Sequence, residues 1–177
     1  MEEILVQARK AAEEAEVFLV SSETTEVNFE ANRLKHLQTK QQTSVALRLI
    51  REGRIGYAIT TSPDDYQSLI DSALETARFG MAAQFTLPAV DSYPQIEVFC
   101  DDVASVPVEA MVDLGEKLVA AVTQHTPDLH CEAEVVRGVV SVRLLNSRGG
   151  QAEYRRSHFA FAVEGSLIKD KIGRAHV

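Results

Sequence analysis

Residues 44–77 read SVALRLIREGRIGYAITTSPDDYQSLIDSALETA, and the apolar period changes once along them, from two to between three and four. Val45, Leu47 and Leu49 alternate with Ala46, Arg48 and Ile50, the pattern of a β-strand. Glu52, Gly53 and Arg54 turn the chain, with Gly53 able to take a positive φ at no Cβ cost, and Ile55, Tyr57 and Ile59 resume the alternation on a return strand. Ser62 suits a helix N-cap, Pro63 the first helical position, and the acidic Asp64 and Asp65 the positive end of the helix dipole. Tyr66, Leu69, Ile70, Ala73, Leu74 and Ala77 then form one apolar stripe, and Gly80 is placed to stop the helix. The prediction is a hairpin followed by an amphipathic helix. No catalytic residue type recurs here at a spacing that chemistry requires.

Outward from this block the same kinds of element repeat. Ile4, Leu5, Ala8, Ala11, Ala12 and Ala15 predict an amphipathic helix over residues 1–15. Residues 16–21 and 27–31 read as short strands paired around a polar turn at Ser22–Thr25, and 34–41 as a more polar edge strand. Residues 81–94 lose periodicity and contain Pro88 and Pro94, which predicts a connector. Pro107 opens a second helix with the stripe Met111, Leu114, Gly115, Leu118, Val119 and Val122, ending near Thr126-Pro127. Strands are expected at 130–136, 139–145 and 151–163, the last two joined by the turn Asn146-Ser147-Arg148-Gly149-Gly150. The fold class is therefore α+β, with two successive units of amphipathic helix plus antiparallel sheet. The expected divisions are an amino-terminal domain over 1–86, a connector over 87–106 and a second domain begun over 107–170.

Composition narrows the function classes. The chain has 177 residues, 45% hydrophobic and 25% charged, which suits a globular protein able to bury a core. No apolar run approaches the roughly 20 residues that cross a bilayer, and Met1-Glu2-Glu3 is unlike a signal-peptide n-region; a cytoplasmic location and no membrane partner are expected. The two cysteines, Cys100 and Cys131, form no disulfide framework. A net charge of −8, from 26 acidic and 18 basic residues, argues against direct nucleic-acid binding, which needs clustered Lys and Arg.

Taken in order, EVFLVSSETTEVNFEANRLKHLQTKQQTSVALRLIREGRIGYAITT, the helix after it, Leu87-Pro88, Tyr93-Pro94, a second helix and LLNSRGG resemble the amino-terminal half of the TldD/PmbA family. The sharpest elements are Leu47-Arg48 with Gly53-Arg54-Ile55-Gly56-Tyr57-Ala58, and Asn146-Ser147 with Gly149. The resemblance runs from Glu2 to about Asp170, and Phe29-Glu30-Ala31-Asn32-Arg33-Leu34-Lys35 is nearer the PmbA, TldE-like branch. It implies a cytoplasmic metallopeptidase system, historically described as modulators of DNA gyrase, in which two related subunits assemble as a hetero- or homodimer and trim small unfolded peptides. The zinc of the catalytic subunit is held by a His-Glu-x-x-x-His motif in that family's carboxy-terminal half. Neither that motif nor His-Glu-x-x-His occurs in this sequence, so no metal or other cofactor is expected in this stretch and it is expected to be inactive alone. Its implied role is scaffold, subunit interface and one wall of a chamber for an extended peptide, with Arg48, Gly53, Gly56, Tyr57, Asn146, Ser147 and Gly149 as structural or interface positions. The alternative is a stand-alone α+β interaction module without peptidase connection. Lys171–Val177 drops the strand pattern, and Ile-Gly-Arg-Ala-His-Val is what a common short-read sequencing adapter encodes in frame; the tail is expected to be an artefact, with the natural sequence departing after about Asp170.

Other clusters read more simply as structure than as sites. His125, His130 and Cys131 flank a helix-to-strand connection, and His130 and Cys131 would point to opposite faces if extended. Asp101 and Asp102 with Glu97 read as a solvated acidic loop. Arg155, Arg156 and His158 are expected on an open sheet face, with Phe159, Phe161 and Val163 inward. Ser147 has no His or Asp that the sequence can place in a triad, and reads as a turn residue. Arg48, among apolar neighbours, calls for a carboxylate such as Glu30 across the sheet or for a partner subunit.

Overall fold

The structure is a computed structural model that describes residues 1–62, 64–90, 93–94 and 96–167. Pro63, the end at Asp170 and the Lys171–Val177 tail lie outside the described residues. The elements in chain order are α1 (Glu2–Ala8), β1 (Glu14–Glu30), β2 (Arg33–Arg51), β3 (Arg54–Thr60), α2 (Tyr66–Ala77), α3 (Asp101–Ala104), α4 (Val108–His125), β4 (His130–Asn146) and β5 (Gln151–Ser166). The strands form one antiparallel sheet in the order β3-β2-β1-β4-β5, so the fold is α+β.

The chain divides into two compact units, each drawn from three separate stretches. One comprises 1–23, 40–100 and 139–157; the other comprises 24–39, 101–138 and 158 onward. In the first unit Ile4 and Ala8 of α1, Ala15 and Val17 of β1, Val45, Leu47 and Leu49 of β2, and Leu69, Ile70, Ala73 and Ala77 of α2 make one buried cluster. In the second, Val27 and Phe29 of β1, Met111 and Val119 of α4, and Cys131, Ala133 and Val135 of β4 make another. Both sets alternate along the strands and repeat at helical spacing on the helices, so sequence periodicity is what selects each inward face.

The β2–β3 hairpin forms as its sequence predicts, with a tighter turn. Arg51 pairs with Arg54, leaving Glu52 (φ 51°) and Gly53 (φ 69°) as the two turn residues; two left-handed residues match the twist of the flanking strands. Leu49 pairs with Gly56 and Leu47 with Ala58, and this small-residue face of β3 lets α2 lie close. A Cβ on Gly56 would stand 2.1 Å from the Ala73 carbonyl oxygen and 2.7 Å from the Ala77 Cβ. The outer edge of β3 is closed as well. The Thr76 hydroxyl is 3.0 Å from Tyr57 N and 2.9 Å from Tyr57 O, and Ile55 N–H donates to Met81 O at 2.9 Å.

Several local expectations are corrected. The two short strands around Ser22–Thr25 are one strand, β1, and the expected strands at 34–41 and 45–50 are one strand, β2. The polar residues read as a turn instead bond across the strands, Ser21 to Thr43 at 3.1 Å and Thr25 to Thr39 at 3.0 Å, and such hydroxyl pairs stabilise a ladder. The turn falls at Ala31 (φ 48°) and Asn32 (φ 67°). Asn32 donates to Leu129 O at 3.1 Å and accepts from Cys131 N–H at 2.7 Å, which anchors the start of β4. The strands expected at 130–136 and 139–145 are likewise continuous as β4. The first helix ends at Ala8 rather than near residue 15, because the sheet captures the chain: Glu13 N–H donates to Ile50 O and Ser147 N–H to Ala15 O. Asp65, not Ser62, caps α2, accepting from Ser68 N–H at 3.3 Å. Asp101 and Asp102 open the short helix α3 rather than lying in a loop, where carboxylates face the positive end of the dipole.

The Tyr66 hydroxyl donates to the Glu3 carboxylate at 3.1 Å and ties α2 to α1. That hydrogen bond, with the carboxylate's charge, raises the Tyr66 pKa above the ordinary 10.0. The contribution is present below pH about 10 and is lost as pH rises through the raised value, since the phenolate has no proton to donate. Ultraviolet titration is expected to show one of the four tyrosines ionising late, and Tyr66→Phe to remove that component. Gly56→Ala is expected to lower stability in urea unfolding by about 1–3 kcal/mol through overpacking against α2. Gly53→Ala, whose Cβ would meet nothing within 4 Å, is expected to cost only the left-handed backbone, about 1–2 kcal/mol.

Candidate functional site

The residues singled out by pattern gather on the first unit. Arg48 alternates with Leu47 and Leu49, which pack with α2, so it projects from the opposite face of β2. Its cross-strand partner is Tyr57. The Arg48 guanidinium donates to Glu16 Oε1 at 2.6 Å and lies 5.3 Å from the centre of the Phe85 ring. Glu16, not Glu30, is therefore its carboxylate; Glu30 stands 4.0 Å from Lys35 on the surface. Glu16 is 9% exposed, and a carboxylate so buried needs its cation.

Along β1, Glu14 shares the face of Glu16. Its Oε2 accepts from Leu87 N–H at 2.6 Å and its Oε1 from Arg148 at 3.2 Å. Ser147 Oγ accepts from Ala15 N–H at 3.0 Å, so this hydroxyl serves the β1 backbone. Asn146 is 4% exposed. Its Oδ1 accepts from Arg148 N–H and Gly150 N–H, each at 2.9 Å, and its Nδ2 donates to Pro88 O at 2.8 Å. Gly149 takes φ 84°. Gln151 N–H continues the attachment, donating to Val90 O, and Ser157 N–H donates to Val98 O. The turn that begins β5 thus fastens the connector with the backbone of 87–90, while Leu87 itself is buried.

The remaining candidates do not join this cluster. Cys131 is wholly buried in the second core. His125 Nδ1 is 3.2 Å from Thr126 Oγ1, and His130 lines a shallow depression of about 680 Å³ with Asn32 and the 126–129 connection. Among the described residues, no three His, Cys, Asp or Glu side chains stand close enough to hold a metal ion. Arg155 stacks on Phe99, 4.2 Å from the ring centre. The expectation for β5 is corrected: Phe159 packs on the second core, but Phe161 and Val163 are 58% and 41% exposed. His158, expected on an open face, instead lies against Gly138, where a Cβ would be 2.0 Å from its ring.

What this arrangement can do follows from its donors and acceptors. The Ser147 hydroxyl is bound by the Ala15 amide, the Asn146 amide is occupied, and the Glu14 and Glu16 carboxylates are bound to arginines and a backbone amide. The cluster holds its surface in place through these bonds. Beside it on β3, Tyr57 and Ile59 are 65% and 68% exposed. Pattern reasoning found Arg48 and the Asn-Ser-x-Gly turn but missed Glu14 and Glu16; the available signal was two carboxylates at i and i+2 on one face of a strand.

Residues 15–78 match the model of the PmbA/TldA metallopeptidase domain 1, a window that runs from the start of β1 through α2. The chain resembles the amino-terminal region of the TldD/PmbA family. Solved structures of similar fold include TldE from Thermococcus kodakarensis (16% identity, TM-score 0.78, 93% of this chain and 42% of that one). Two proteins described as candidate modulators of DNA gyrase are also similar. One, from Bacteroides thetaiotaomicron, has 16% identity and TM-score 0.81 over 97% of this chain and 41% of that one; the other, from Thermotoga maritima, has 11% identity and TM-score 0.74 over 93% and 43%. The chain thus spans about two fifths of the length of each. No curated protein sequence matches it. Arg48, Gly53, Gly56 and Tyr57 lie inside the TldD/PmbA window, and Asn146, Ser147 and Gly149 outside it. Asn146→Ala is expected to destabilise the chain by roughly 1–3 kcal/mol and to speed proteolytic cleavage within 82–100, as read by limited digestion. Asn146→Asp, which keeps the acceptor but sets a carboxylate oxygen against Pro88 O, should also destabilise the chain and speed the same cleavage.

Proposed function

We propose that this chain is the amino-terminal part of a TldD/PmbA-type metallopeptidase subunit, working in the cytoplasm as scaffold, subunit interface and one wall of a peptide chamber. The observation that carries this reading is the match of residues 15–78 to a metallopeptidase domain 1. The similarity to structures more than twice as long supports it, because the zinc and its water-activating groups then belong to the other half of a catalytic subunit. The exposed Tyr57 and Ile59 suit a face that meets a homologous subunit, since aromatic residues supply large contact area at such interfaces. The outer strand β5 suits an extended peptide added by main-chain hydrogen bonding, a mode that reads little sequence and fits unfolded substrates.

The test is peptidase activity on an unfolded peptide. The chain alone is expected to show none, and to bind a full-length TldD/PmbA-type subunit in size-exclusion chromatography, with Tyr57→Ser and Ile59→Ser weakening that complex at least about tenfold. Chelator-sensitive hydrolysis by the chain alone would overturn the assignment. Failure to bind any such subunit would favour the stand-alone interaction module.

A further inference from the structure

At the tip of the β2–β3 hairpin three arginines surround one open depression of about 510 Å³, lined by Arg51, Glu52, Arg54, Ala77 and Arg78. Arg51 and Arg54 are directly opposed across the antiparallel ladder, an arrangement in which like charges repel. They share the strand face of Leu49 and Gly56, against which α2 packs, so both point toward the carboxyl end of that helix, where Arg78 is the C-cap. Compensation comes from the carbonyl end of α2 and from two nearby carboxylates. Glu52 is 84% exposed and 3.8 Å from Arg51 Nε, and the Glu13 carboxylate is taken up by the Glu52 and Gly53 amides at 2.8 and 3.4 Å. Arg54 uses one nitrogen on Gly80 O at 2.8 Å, and the Arg78 backbone N–H donates to Glu75 O at 3.1 Å, while among the described residues the Arg78 side chain has no hydrogen bond or ion pair. In a chain of net charge −8, this is a local concentration of unspent guanidinium donors.

We infer that this depression binds a small polyanionic ligand through its phosphate or carboxylate oxygens, with Arg51 and Arg78 as the binding residues and Arg54 fixed by the Gly80 carbonyl. Guanidinium groups present paired donors matched to oxyanions, and the volume suits a small molecule rather than a single ion. The inference is independent of the peptidase reading.

The experiment compares the chain with Arg51→Gln and Arg78→Gln variants in chloride buffer, then in pyrophosphate or citrate at matched ionic strength. Binding is followed by isothermal titration and stability by thermal melting. The parent is expected to bind at least one probe saturably and to melt higher with it, and each variant to bind at least about tenfold more weakly. In chloride alone the variants should melt at or above the parent, because a repelling charge has been removed. Binding of pyrophosphate only identifies a phosphoryl ligand, and of citrate only a carboxylate ligand. Two results would overturn the inference: no saturable binding of either probe by the parent, or binding unchanged in both variants. Variants that melt below the parent equally in every buffer would show that the arginines serve only to cap α2.

Discussion

The closeness of α2 to β3 is the constraint on which the first unit depends. With no side chain at Gly56, the Ala73 carbonyl and the Ala77 methyl sit where a Cβ would be, and the Thr76 hydroxyl can reach the backbone of Tyr57. The helix therefore does two things at once. It buries Leu47 and Leu49 under Leu69, Ile70 and Ala73, and it occupies the backbone edge that β3 would otherwise leave for another strand. Arg48 and Tyr57 are turned to the other face by the same alternation, so the packing on one side fixes what the other side presents.

That second face is organised by polar contacts rather than by a core. Glu14, Glu16 and Asn146 hold Arg148, Arg48 and the connector backbone in place, and each is buried enough that losing its partner would strand a desolvated group. Rigid side chains on a regular sheet are suited to presenting an interface of fixed shape.

The hairpin and α2 were legible because the apolar period changes within a few residues and the glycine sits at the turn. The long strands were less so. Ser, Thr and Glu in 21–26 carry turn propensity, and the pairing of Ser21 with Thr43 and of Thr25 with Thr39 across the ladder overrides it. The partner of Arg48 was hidden by the same misreading. Glu16 meets Arg48 in the same register as Ser21 meets Thr43 and Thr25 meets Thr39, a register that exists only when β1 runs on to the turn near Asn32; placing the turn earlier removes that relation. The role of Asn146 was legible only in part, since a turn residue could be read locally but its bond to Pro88, 58 positions away, could not.

The division of β1, β2, β4 and β5 between two cores has a consequence for how the polypeptide is made. β1 lies between β2 and β4, and β4 begins only at His130, so one flank of β1 stays unpaired while roughly a hundred further residues leave the ribosome. Contacts of such long range are closed late and slowly. During that interval a nascent chain carries a bare flank of long strand, the kind of surface on which chaperones act.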